Sequence, residues 1–86
     1  MPEVSRFLGI VIGMYYNDHN PPHFHAFYGD DEVAIAIEDG RVLWGNLPRR
    51  ALSHVREWRE LHQAELMGDW NRARQHQPLL PIEPLE

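Results

Sequence analysis

The sequence predicts an α+β domain of two layers. A four-stranded antiparallel β-sheet in meander order is packed by one long C-terminal amphipathic helix and followed by a Pro-rich extended tail. Three observations predict it. Apolar residues recur with a period of two between Phe7 and Trp44, the period changes to 3.6 after Pro48, and three prolines crowd the last ten residues. The chain of 86 residues has room for one domain only. Residues 1–46 are assigned to the sheet, 47–76 to the helix and 77–86 to the tail.

The apolar run Phe7–Tyr16 is rich in β-branched and aromatic residues and reads as the first strand. Its even positions, from Leu8 to Tyr16, are all large and form a core face. Its odd positions include Gly9 and Gly13, which allow close approach on the other face. Asn17–Pro22 is a loop, and His23–Tyr28 is the second strand. Glu32–Glu38 alternates Val33, Ile35 and Ile37 against Ala34 and Ala36 as a third. Asp39-Gly40 is a hairpin signal that leads into a short fourth strand, Arg41–Trp44. Asn46 is placed to cap the helix and Pro48 to occupy its first turn. Ala51, Leu52, Val55, Trp58, His62, Leu66, Trp70 and Ala73 share one helical face, with Gly68-Asp69 able to kink or split it. The tail joins three prolines to four aliphatics, too apolar for a free linker, and is expected to lie against the body or a partner.

A domain this small buries only about 60% of its unfolded surface, so a staple is expected. The chain has no cysteine, which excludes disulfides, thiolate metal sites and a cysteine nucleophile. A metal held by other ligands, a partner chain or very good packing is left. The net charge is −5, with eight arginines and no lysine, against a free-standing nucleic-acid binder. Residues 1–46 carry −5, from two arginines and seven acids, whereas residues 47–77 carry +2, from six arginines and four acids. A basic element on an acidic body suits a protein partner. The longest apolar run is ten residues, too short to span a bilayer, so a soluble cytoplasmic protein with no membrane contact is expected.

Six histidines are many for this length, and three cluster in Asp18-His19-Asn20-Pro21-Pro22-His23-Phe24-His25. On a strand, His23 and His25 point the same way about 6.5–7 Å apart. Two imidazoles at that spacing can converge on one ion at about 2.0–2.1 Å from each nitrogen. His19 and Asp18, returning from a Pro-stiffened loop, could add a third ligand for zinc or another divalent metal. The same pair could act as acid and base without metal, with Arg6, Arg41 or Arg49 as the cation for a phosphate. A plain structural reading also stands: a rigid Asn-Pro-Pro-His turn whose imidazoles bond to backbone. His62 would complete a metal site if the helix packed on the histidine face; otherwise it is a hydrogen-bonded core residue. Arg49, Arg56 and Arg74 share one flank of the helix, with Arg59 nearby; interspersed with acids, they form either a solvated ion-paired face or a docking surface. Trp44, at the end of an edge strand, is a candidate partner contact.

The segments Pro2-Glu-Val-Ser-Arg-Phe, Gly9-Ile-Val-Ile, Met14-Tyr-Tyr-Asn-Asp-His-Asn-Pro-Pro-His-Phe-His-Ala26, Leu47-Pro-Arg-Arg50 and Glu60-Leu-His62 resemble a small prokaryotic family, domain of unknown function 4160. The resemblance covers essentially the whole chain, and the segment from Tyr16 to His25 is its specific part. Gly13 and Gly68 depart from the family's pattern. The resemblance implies no activity. It implies a partner encoded by a neighbouring gene, of the uncharacterised family 2442, and a place in a toxin–antitoxin-like pair. Its signature positions here are Asp18, His19, Pro21, Pro22, His23, His25 and His62, without roles.

Three functions are compatible with these residues. The preferred one is a protein-interaction component of a two-gene module with a histidine site able to hold a divalent metal such as zinc. The others are a small endoribonuclease toxin using His23 and His25, and a DNA-binding autoregulator of its operon. An open edge at Arg41–Trp44 also offers a homodimer contact.

Overall fold

The computed structural model describes residues 2–85. Its elements are β1 (Glu3–Phe7), β2 (Ile10–Gly13), β3 (His23–Tyr28), β4 (Asp31–Ala36), β5 (Val42–Gly45), α1 (Arg49–Leu61) and α2 (Gln63–Arg74). The five strands form one antiparallel meander, β1-β2-β3-β4-β5, so the α+β class and the antiparallel sheet hold, with five strands where four are expected.

The extra strand, β1, lies mostly ahead of the run Phe7–Tyr16 and is set off from β2 by a turn inside it. Leu8 (φ 53°) and Gly9 (φ 79°) both adopt positive φ, and Phe7 pairs with Ile10 across them. Two positive-φ residues in a two-residue loop make the type I′ turn, whose twist matches that of the strands it joins. The turn was hidden because a leucine occupies the position that Asn or Asp usually takes. Leu8 is therefore exposed at the hairpin tip instead of facing the core.

The helical stretch is also divided, at His62 and not at Gly68. His62 leaves helical geometry (φ −127°, ψ 26°), ending α1 and capping α2. The Glu65 carboxylate, in the first turn of α2, accepts from His62 Nδ1 at 2.6 Å. Gln63 Nε2 donates to the Glu38 carbonyl at 3.1 Å. Gly68 lies within α2. Pro48 is the N-cap of α1, and Asn46 donates its backbone N–H to the Glu32 carbonyl in place of capping.

One sheet face carries the core. Phe7, Ile10, Ile12, Phe24, Val33 and Ile35 are buried there with Ala51, Val55 and Trp58 of α1. The Trp58 ring lies 5.4 Å from Phe7 and 5.9 Å from Phe24. Burying side chains of this size contributes about 1.5–3 kcal/mol each. Beyond α2, residues 77–85 form neither helix nor strand. Leu80 N–H donates to Asp69 Oδ1 (2.8 Å), Ile82 N–H to the Val4 carbonyl (2.8 Å) and Trp58 Nε1–H to the Glu83 carbonyl (2.8 Å). Ile82 is buried in the core.

Replacing Leu8 by Asn, which tolerates the left-handed region, should raise stability by about 0.5–1 kcal/mol. The readout is a higher urea midpoint at unchanged slope. A lowered midpoint would contradict the turn.

Candidate functional site

Strand alternation separates the core from the site. Phe24 packs on Trp58, so its neighbours His23 and His25 point to the opposite face of β3. The cross-strand partners of His25 are Gly13 on β2 and Ala34 on β4, both small, and they leave space around its ring. Tyr15 meets that ring edge-on at 4.7 Å, and Trp44 of β5 lies 5.5 Å from it. Trp70 of α2 approaches His23 at 5.3 Å.

Asp18 comes from the loop between β2 and β3. Its Oδ1 accepts from the His19 backbone N–H at 2.8 Å, which aims Oδ2 at the two rings. Oδ2 lies 3.0 Å from His23 Nε2 and 3.3 Å from His25 Nε2. One ligand atom from each of Asp18, His23 and His25 can be chosen so that all lie within 4.8 Å of one another.

The other ring nitrogens decide what these contacts mean. His23 Nδ1 is 2.7 Å from the Pro21 carbonyl, which can only accept, so Nδ1 carries a proton and donates. His25 Nδ1 is 3.1 Å from Glu32 Oε2, and an ionised carboxylate likewise only accepts. In the neutral tautomer each Nε2 is therefore a lone pair facing the lone pairs of Asp18. That arrangement is repulsive unless a second proton on each ring, or a shared cation, lies between them. Backbone carbonyls and carboxylates on the far ring nitrogen are the usual partners of metal-ligating histidines. At metal–ligand bonds of about 2.0–2.1 Å, adjacent ligands stand about 3.0–3.3 Å apart, which matches both contacts to Oδ2.

Burial raises the Asp18 pKa, but the His19 N–H, the hydrogen bond from His25 and the charges of His23 and His25 outweigh it and hold it below 3.8. The residue is about one-fifth exposed.

These groups floor a cavity of about 410 Å³ whose walls include Tyr15, Pro21, Leu43 and Trp44. His19 and Asn20 also line it. The structure thus brings together Asp18, His23 and His25, with His19 beside them but outside the donor set. His62 stays apart, because α1 packs on the Phe24 face; it bonds Glu65 instead. Trp44 is half exposed and lines the cavity. Arg59 is not a surface residue. It is buried, and its Nη1 donates to the Ile37 carbonyl at 2.8 Å. Arg56 Nε donates to the Gly40 carbonyl at 3.2 Å. The two arginines therefore clasp the turn after β4. Arg49 is exposed at the start of α1, and Arg6 and Arg41 pair with Glu3 and Asp39. None of these five lines the cavity. Sequence reasoning missed Glu32 and Tyr15. No local signal singles out Glu32, because Asp30 and Asp31 stand beside it; the β3–β4 register places it on the same face as Ala34, the partner of His25.

A lowered folded pKa means that the Asp18 interaction stabilises the fold above the usual 3.8 and is lost as pH falls through the lower folded value. Wild type should therefore exceed Asp18→Asn by about 1–2 kcal/mol where Asp18 is ionised. That advantage should shrink toward strong acid. Urea denaturation of both proteins across the acid range checks this, and parallel curves would refute it.

Among the described residues, no helix is long and apolar enough to cross a membrane. No curated protein and no solved structure matches the chain. The family described as a domain of unknown function (DUF4160) matches residues 9–71, a span that holds β2 to β5, the whole histidine–aspartate cluster and Glu32. The chain belongs to that family.

Proposed function

We propose that this protein binds a divalent metal ion through Asp18, His23 and His25, and presents it to a ligand entering the cavity. One observation carries the reading: both Nδ1 atoms donate to fixed acceptors, so both Nε2 lone pairs converge on one carboxylate oxygen. Two imidazoles and a carboxylate suit zinc or ferrous iron and leave at least one coordination position open. An ion there would supply Lewis acidity toward a bound oxygen. The chain's own residues would hold it and fix the ring orientations, Glu32 on His25 and the Pro21 carbonyl on His23.

The same proposal places the protein in a two-gene, toxin–antitoxin-like pair, with a small partner protein. Exposed Leu61 and Trp44 support a partner contact. The arginine flank supports it less, since Arg59 is buried and Arg56 bonds backbone. A metal-free ribonuclease is the weaker alternative, because both rings face one carboxylate and no arginine lines the cavity. Nothing in the geometry favours an operator-binding role.

Elemental analysis of tag-free protein exposed to zinc, iron(II) and manganese tests the reading. About one ion per chain is expected, with a chelator lowering the melting temperature, and both effects absent in the His23→Ala, His25→Ala double variant. Glu32→Gln should weaken metal affinity by about 10–100-fold while the fold stays intact. A wild-type chain that takes up none of the three ions overturns the proposal.

A further inference from the structure

We infer that the ligand of this site is a small aromatic or heteroaromatic molecule bearing one anionic oxygen donor, and not a phosphate-bearing nucleotide. The inference rests on the metal reading above and adds the substrate class.

The cavity walls carry it. Trp44 is 50% exposed, although its ring stands beside the buried His25 ring at 5.5 Å. Tyr15 is 40% exposed on the other side of the same ring. Pro21 and Leu43 add apolar surface between them. Two part-exposed aromatic rings beside a polar floor suit a flat, apolar body. At about 410 Å³ the space suits a molecule of one or two rings.

Backbone geometry holds Trp44 in place. Gly45 has φ +78°, and a Cβ there would collide with the Glu32 carbonyl oxygen. β5 can therefore lie close to β4 at the residue that also orients His25. One glycine thus sets both the aromatic wall and the acid behind the ligand imidazole.

Charge settles the other half of the molecule. A divalent ion with two neutral imidazoles and one carboxylate carries a single positive charge on its ligand set, and with the Glu32 carboxylate behind His25 the site needs no more than one anionic oxygen from the ligand. A phosphate needs more donors than that, and no arginine lines the cavity. Among the described residues, the one arginine bonded to a lining residue is Arg74, whose Nη1 meets Asn20 Oδ1 at 3.4 Å.

The test uses the full chain loaded with cobalt(II), whose absorption spectrum reports ligand entry at the metal. Benzohydroxamate, acetohydroxamate and adenosine monophosphate are titrated in turn. Benzohydroxamate is expected to bind roughly tenfold tighter than acetohydroxamate. In Trp44→Ala that preference should fall to about threefold or less, with cobalt uptake unchanged. Equal binding of the two hydroxamates by wild type, or tighter binding of the nucleotide, overturns this inference alone. Absence of any cobalt spectrum overturns it together with the metal reading.

Discussion

Everything in this molecule depends on the alternation of side chains along β3. The strand lies at the centre of the five, so both of its edges are paired. Phe24 and Ala26 belong to the core with Trp58, while His23 and His25 belong to the cavity. A slip of one residue in the pairing of β3 would exchange the two sets. Two imidazoles would then enter an apolar core and a phenyl ring would enter the donor cluster. The hydrophobic driving force that seats Phe24 under α1 is thus also the force that aims the histidines. Folding and site assembly are one event, which is an economical solution for a chain with little core.

The second constraint is the crowding of acceptors. Pro21, Glu32 and Asp18 surround two rings that own at most four protons between them. A pair of neutral rings leaves Asp18 facing lone pairs, and a buried polar group in that condition costs about 1–3 kcal/mol. Protons or a metal ion relieve it, and both do so by bringing positive charge to the same point. A purely structural Asn-Pro-Pro-His turn would need only the Pro21 bond. The Glu32 contact, made from the neighbouring strand, is the element that a turn has no use for.

How far the sequence discloses this molecule follows from the range of the interactions. The strands from His23 onward and the helical stripe are written in local periodicity and were legible. So was the cluster Asp18, His23 and His25, because the alternation rule alone places both imidazoles on one face. The Leu8-Gly9 turn was not legible, since it lies in an unbroken apolar run and carries leucine at a left-handed position. The break at His62 was not legible either: no proline or glycine marks it, and it is accompanied by a local bond to Glu65 and the long-range bond of Gln63 to the Glu38 carbonyl. Arg59 looked like a surface cation because helical periodicity cannot foresee the Ile37 carbonyl, 22 residues away, that it reaches. Glu32 and Trp44 enter the site through the β4 and β5 registers, which no single-segment pattern encodes.

Beyond the break at His62, the C-terminal end of α2 lies against the loop that supplies Asp18. Trp70 meets His23, Arg74 meets Asn20, and His76 stacks on Tyr16 with centroids 6.0 Å apart and planes 11° from parallel. His76 holds a left-handed conformation (φ 57°) just past the helix, where glycine is usual. The Gln77 N–H donates to the Arg72 carbonyl and the His76 N–H to the Ala73 carbonyl, the two bonds of a Schellman end. A residue with a side chain is disfavoured by backbone energy at that position. The stacked Tyr16 gives its ring a role there that glycine could not fill. The loop between β2 and β3 that supplies Asp18 is therefore braced from the side by the end of the second helix, as well as by its own bond from the His19 N–H to Asp18.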